Sequence, residues 1–476
     1  MKKFLFLLTM LIVFVLTACA DPEPDVVDRG LESDVVDSES EPEAFDSEAD
    51  SEDVDDDSES EVINNESEPE IIDERSYEEI IIADLLYDFD YLIAIIEEST
   101  PLIGPIERSL NIDFWEEMDQ IRSNIAADLD FGYAGTFEEM QYLAAQFFYN
   151  NILLNISWAV WFLGHLGPTS QDALVDHFAR IQRYVLYADE VSLLGHLYYE
   201  IYNSDIVSRF YDIDEICLET DGLGEFDENN IITNIIVENE IAYVSIASFM
   251  NNIEFDSETL LPFFQEIQDY DHLIIDIRGN FGGYMTHFTN LFMATLSDDV
   301  QVVSYPEFFR STDLVHYNVE AYIDSFRIHE GFNGTFISAD EFFNYNPMPY
   351  MNYDDRELLD YVVEWELMIE PREDNIPFNG QIWLLVDGLS SSASENAAIF
   401  SMSSGFATVV GRETFGVLGA ITIMTPLPNT GIIFRVDVGY IPDENGFSQE
   451  EFGVSPQYVV PAGQDILEYV LGMIRN

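Results

Sequence analysis

From Tyr77 to about Thr220 apolar residues recur at three- and four-residue spacing, the period of an amphipathic helix. Asp84 to Ile96, Phe114 to Ile125, Phe137 to Phe148 and Ala173 to Leu186 all show it. Thr136, followed by Glu138 and Glu139, predicts a helix start. From about Ile231 the period changes. Ile231–Val237 and Ile241–Ile246 are rich in β-branched residues and predict strands. Residues 257–269 predict a helix, and His272–Ile277 a short, continuously apolar strand. A glycine-rich turn follows, Arg278-Gly279-Asn280-Phe281-Gly282-Gly283, and then a helix over 284–296. Gln381–Val386 predicts another buried strand, leading through Asp387-Gly388-Leu389 into a Ser/Ala-rich helix over 392–402. Ala407–Gly411 predicts a further strand. Strands and helices alternating at this length indicate an α/β architecture behind a helical segment. Residues 300–375 are aromatic-rich and carry few periodic signals, so they read as an irregular insertion or a lid.

The N-terminus has a different pattern. Lys2 and Lys3 precede an apolar run from Phe4 to Leu16, then Thr17-Ala18-Cys19-Ala20. A basic start, a thirteen-residue apolar stretch and small residues after it describe a secretory signal. The run is short for a membrane span. Its Leu-Thr-Ala-Cys ending resembles the lipoprotein box of bacteria. That resemblance implies a signal over 1–18, lipidation of Cys19 and anchoring at the extracytoplasmic face of the cell membrane. Residues 19–76 hold 25 acids and two arginines, with Ser, Pro and Val between them. Too little apolar surface is available there to offset the entropy of ordering, and like charges extend the chain. An acidic tether is expected.

Composition narrows the chemistry. The 476 residues carry 92 acids against 17 Lys+Arg, a net charge of −75. Phosphates are repelled by such a surface, which excludes nucleic acid as an electrostatic partner. After Lys3 there is no lysine, so lysine-based nucleophiles and bases are excluded downstream. Two cysteines, Cys19 and Cys217, make neither a disulfide framework nor a cysteine zinc site. No metal and no cofactor are expected. Acid-rich, lysine-free chains suit high salt, where screening relieves self-repulsion.

Two segments carry candidate chemistry. Ser390-Ser391-Ser392-Ala393-Ser394-Glu395 lies where a buried strand gives way to a helix. Unpaired amides and the dipole at a helix N-terminus favour developing negative charge, although a serine-rich N-cap would have the same sequence. The Gly282-Gly283 turn offers exposed backbone N–H groups, as an oxyanion site needs, but an ordinary strand-to-helix turn would also look like this.

Taken in order, the segments resemble the S41 family of serine peptidases, the carboxyl-terminal-processing and tricorn-type proteases. Ile241–Ile246, Leu273–Gly283, Trp383–Glu395, Thr408–Gly416 and Glu450–Pro456 each resemble a family motif. The resemblance covers about 231–298 and 380–476. It implies a ClpP/crotonase-like α/β core over 226–476, interrupted about 300–375 and preceded by a helical domain over 77–225. It implies Ser392 as nucleophile, with backbone donors at Ala393, Gly282 and Gly283. One branch of the family uses a lysine at the position held here by Val417. The tricorn-like branch uses a histidine, and Leu163-Gly164-His165-Leu166-Gly167 resembles its motif, which implies His165 as general base; His196 is the second candidate. Glu450, three residues before Gly453, would orient the imidazole, with Glu451 adjacent. No segment between His165 and Ile231 resembles a PDZ domain. The activity implied is hydrolysis of peptide or protein substrates; a catalytically idle homologue that binds them is the alternative.

Overall fold

The computed structural model describes residues 76–127, 136–154, 156, 166–170, 193, 194, 197, 201, 204–211, 229–329, 331–418 and 421–475. The signal, the tether and the helix expected over 173–186 lie outside the described residues.

Four helices open the described chain: α1 (Tyr77–Ser99), α2 (Ile103–Leu110), α3 (Phe114–Ala127) and α4 (Phe137–Phe148). Helix α1 starts because Ser76 and Glu79 satisfy each other's backbone N–H groups, at 3.2 and 2.8 Å. Thr136 and Glu139 do the same at α4. The apolar stripe of α1, Ile81, Leu85, Phe89, Leu92 and Ile96, is fully buried. Its period is what the sequence predicts. Helix α4 runs on into a π turn, Tyr149–Leu153.

The core is a six-stranded sheet in the order β12-β9-β8-β4-β3-β2. Its strands are β2 (Ile231–Val237), β3 (Ile241–Ile246), β4 (His272–Asp276), β8 (Gln381–Val386), β9 (Thr408–Gly411) and β12 (Tyr458–Val459). Strands β2 and β3 are antiparallel; all other neighbours are parallel. Parallel strands covered on both faces read as unbroken apolar runs, so β4 and β8 are legible in the sequence. Helix α5 (Ile253–Ile267) crosses from β3 to β4. It starts four residues earlier than expected, because the Asn252 side chain caps the Phe255 N–H at 3.0 Å. Helix α6 (Met285–Phe288) follows the glycine turn and continues through a π turn, Thr289–Met293.

The segment 300–375 is not irregular. It contains β5 (Gln301–Phe309), α7 (Asp313–His329), β6 (Phe332–Ser338), α8 (Ala339–Tyr345), α9 (Tyr353–Arg356) and β7 (Tyr361–Ile369). The three strands form an antiparallel sheet with β7 in the centre. Its pattern is hidden because β5 is an edge strand with Pro306 inside it, tolerated only at an edge. This sheet packs on α10 (Ala393–Ser404): Phe332 and Tyr305 both lie against Phe400, and Ser304 is hydrogen-bonded to Ser403.

A third sheet joins β10 (Thr422–Pro426), β11 (Ile433–Asp437) and β1 (Leu166–Pro168). Leu166 pairs with Val436 and Pro168 with Phe434. Leu-Gly-Pro has no strand propensity of its own, so only this pairing makes it a strand. Two more helices, α11 (Gln449–Phe452) and α12 (Ile466–Ile474), complete the chain. Among the described residues no helix is long and apolar enough to cross a membrane.

Candidate active site

Strands β4 and β8 are parallel neighbours, so both release the chain at the same edge of the sheet, the usual crevice of such folds. That is why the glycine turn and the serine run meet. Four bonds stitch them together. The Gly279 N–H donates to Asp387 Oδ1 at 3.0 Å and the Ser390 hydroxyl to the Ile277 carbonyl at 2.9 Å. The Ser391 N–H donates to the Asn280 carbonyl at 3.1 Å and its hydroxyl to the Phe281 carbonyl at 3.0 Å.

Within the serine run the hydroxyls differ sharply. Ser390, Ser391 and Ser394 are buried; the first two spend their hydroxyls on backbone carbonyls and the third has no partner among the described residues. Ser392 is half-buried and sits at the N-cap of α10 with φ 55° and ψ −121°. A positive φ at a non-glycine residue costs about 1–3 kcal/mol and turns the side chain out of the helix path, as a nucleophile elbow requires.

Glu395, fully buried one turn into α10, holds that backbone. Its two oxygens accept from the Ser392 N–H (2.9 Å), the Thr414 hydroxyl (2.6 Å), the Gly416 N–H (2.7 Å) and the Val417 N–H (2.8 Å). Burial pushes its carboxyl up from the ordinary value, and the four donors oppose that. The Val417 carbonyl in turn accepts from the Ser392 N–H at 2.7 Å. The position at which one branch of the family carries lysine is therefore a buried valine packed at the elbow. Nothing in the sequence reading singled out Glu395, although its spacing from Ser392 is that of a capping box.

Beside the elbow, Gly282 and Gly283 have φ of 100° and 137°. A Cβ on Gly282 would lie 2.8 Å from Ser392 Cβ and 2.9 Å from the Ala393 nitrogen; one on Gly283 would strike the Phe249 backbone. Only glycine fits either place. The three expected donors are not equivalent. The Gly282 N–H already donates to Asn280 Oδ1 at 2.8 Å. The N–H groups of Ala393 and Gly283 have no acceptor among the described residues. Gly282 thus contributes its missing side chain, and the pair left for an anion is Ala393 and Gly283.

Glu450 is buried in α11. Its Oε1 accepts from the Ile441 N–H at 3.3 Å and its Oε2 from the Ser448 hydroxyl at 3.1 Å. Its backbone carbonyl packs on Gly416, where a Cβ would lie 2.9 Å away, so α11 and the elbow share the loop 414–417. Glu451 points elsewhere, to Arg108 at 2.9 Å. His165 and His196 lie outside the described residues, as does Cys19. The next residue, Leu166, pairs with Val436, five positions before the Ile441 amide that Glu450 holds. Of the other histidines, His272 accepts from Trp383 Nε1 at 3.4 Å, and His316 stacks on Tyr361 at 4.5 Å. His287 is buried beside the glycine turn with Nε2 2.6 Å from the Asn251 carbonyl, and burial lowers its pKa. Among the described residues no group of His, Cys, Asp and Glu is arranged to hold a metal ion.

Residues 240–460 match the sequence model of peptidase family S41. No curated protein matches the sequence. Among solved structures, a putative peptidase from Parabacteroides merdae is 15% identical, with 82% of this chain and 97% of that one covered and a TM-score of 0.45. Mature CPAF complexed with lactacystin is 13% identical, with coverage of 83% and 98% and a TM-score of 0.43. A lipoprotein from Streptococcus agalactiae is 11% identical, with coverage of 82% and 96% and a TM-score of 0.39.

Proposed function

We propose that this chain, which belongs to peptidase family S41 through residues 240–460, hydrolyses peptide bonds through an acyl-enzyme on Ser392. The observation that carries this is the elbow: in the run 390–394, Ser392 alone of the serines is not buried, beside two N–H groups that have no acceptor among the described residues. In this reading the Ser392 hydroxyl attacks the scissile carbonyl and His165 takes its proton. The oxyanion lies against the Ala393 and Gly283 N–H groups, which need no reorganisation. His165 returns the proton to the leaving amine, and water then cleaves the ester with the same base. Glu450 fixes the imidazole tautomer and stabilises its charged form. The absence of lysine downstream of Lys3 requires a base of this kind. The protein is exported and held by lipid on Cys19, so that residues 20–76 space the enzyme from the membrane. Val417, in place of the lysine, favours the second reading, an idle homologue that binds peptides.

The test is labelling of the purified protein with a fluorophosphonate probe, at low and high salt. Labelling lost in both Ser392→Ala and His165→Ala is expected. Labelling that survives Ser392→Ala refutes the assignment of the nucleophile. No labelling of folded wild type leaves the peptide-binding reading.

A further inference from the structure

The glycine turn carries a feature that catalysis does not need. Phe281 is 63% exposed and Met250 is 52% exposed; Phe281 directly precedes Gly282, and a Cβ on Gly283 would lie 2.6 Å from the Met250 nitrogen. Neither position is loose. Phe281 is held between buried Asn280, which bonds the Gly282 N–H and the Ile246 carbonyl, and Gly282 itself. Its own carbonyl accepts from the Ser391 hydroxyl, so the residue is tied to the neighbour of Ser392. Met250 is tied on the other side. The Phe249 N–H donates to the Gly282 carbonyl and the Tyr284 N–H to the Phe249 carbonyl, both at 2.9 Å. The Met250 N–H donates to the Ser248 hydroxyl at 3.0 Å. Two large apolar side chains are thus presented to solvent from a rigid backbone, in a chain whose surface is dominated by carboxylates.

We infer that Phe281 and Met250 form a subsite for a bulky apolar side chain on the acyl side of the cleaved bond. The inference rests on the peptidase reading above. A carbonyl held by the Ala393 and Gly283 N–H groups belongs to the acyl-side residue, and its side chain branches one bond from that carbonyl. Phe281 is the turn residue directly before Gly282, and Gly282 lies against Ser392. An apolar side chain there removes water from both residues, whereas a carboxylate or a small side chain does not. Exposed aromatic and thioether groups on fixed backbone give contact area at little entropic cost, and the unbranched Met250 adapts to branched or aromatic partners.

The test uses the full chain and a proteome-derived peptide library, with cleavage sites read by mass spectrometry. The readout is the ratio of Leu, Met, Phe and Tyr to Ala, Ser and Asp at the acyl-side position, taken within each variant so that a general loss of activity cancels. Wild type is expected to favour the bulky apolar set by about tenfold or more, and Phe281→Ala combined with Met250→Ala to lose about tenfold of that ratio. Ile232→Ala, an exposed apolar residue on the edge strand β2, is expected to keep the wild-type ratio. No acyl-side bias in wild type, a bias confined to the amine side, or a bias that survives the double variant overturns the inference and leaves the peptidase standing. Wild type that neither cleaves the library nor takes up the fluorophosphonate overturns both.

Discussion

Glu395 beside Ser392 and Asp88 in α1 are both buried carboxylates that accept four hydrogen bonds, yet they do so on different scales of the chain. Glu395 begins with a donor three residues away and gathers the rest from the loop 414–417. Asp88 accepts from the N–H and side-chain amide of Asn429 and from the N–H and hydroxyl of Thr430, all at 2.8–3.0 Å and more than 340 residues away. The first carboxylate shapes a turn that its own helix starts. The second pins the β10–β11 hairpin to the helical segment, and β11 is the strand that pairs with β1, directly after His165. Burial raises the pKa of both, opposed by their donors. The difference teaches that one side of the proposed site is built locally, and that the other depends on a docking of distant elements.

The largest effect should come from Glu395→Ala. It removes the acceptor that four donors share inside the core, leaving the Ser392 N–H only its Val417 carbonyl, and should cost about 3–5 kcal/mol, as truncating one member of a buried polar network does. Urea unfolding measures it, and fluorophosphonate labelling should fall with it. A loss under 1 kcal/mol would break the idea that this carboxylate holds the elbow.

Glu307 sharpens the comparison, because it is fully buried with only two donors among the described residues, Trp365 Nε1 at 2.7 Å and the Ile421 N–H at 3.2 Å. Burial pushes its pKa from the ordinary 4.5 up to about 7, with Asp437 adding to the rise. The folded value lies above the unfolded one. Between these pH values the folded state keeps a proton that the unfolded state has released. Its contribution is therefore full below about pH 4.5 and lost as pH passes 7, about 3 kcal/mol in all. Glu307→Gln should remove that decline from the urea stability profile between pH 5 and 8. A profile unchanged by the substitution would show that other groups titrate there.

Asp88→Ala should have the smallest effect of the three, about 2 kcal/mol. Asn429 is half-buried, so water replaces part of what the carboxylate supplies. Hydrogen exchange should show faster opening of β10 and β11 and little change in β4 and β8. If protection falls equally in both sheets, the two regions are one cooperative unit and the contrast fails.

Strands β3, β4, β8 and β9 of the core were legible because each is a largely apolar run, whereas the two-residue β12 was not. The starts of α1 and α4 were legible because Ser76–Glu79 and Thr136–Glu139 are local capping boxes. The sheet within 300–375 was not, since Pro306 interrupts β5 and its aromatic residues face neighbours on both sides. Strand β1 was not, because its three residues have no propensity that competes with a loop. In the site, the sequence does not reveal that Gly282 spends its N–H on Asn280, since that depends on the turn's φ and ψ.

By itself the sequence determined the α/β order and the exclusion of a lysine base, because these rest on local period and residue identity, while the candidate nucleophile came from the resemblance of its ordered motifs to a family. Only the tertiary structure decided which serine of the run faces out and which glycine keeps a donor free. It alone decided that Glu395 and Asp88 are anchors rather than solvated acids. Those outcomes depend on partners brought together by sheet register and hairpin docking, and no local pattern encodes a hydrogen bond that spans hundreds of residues.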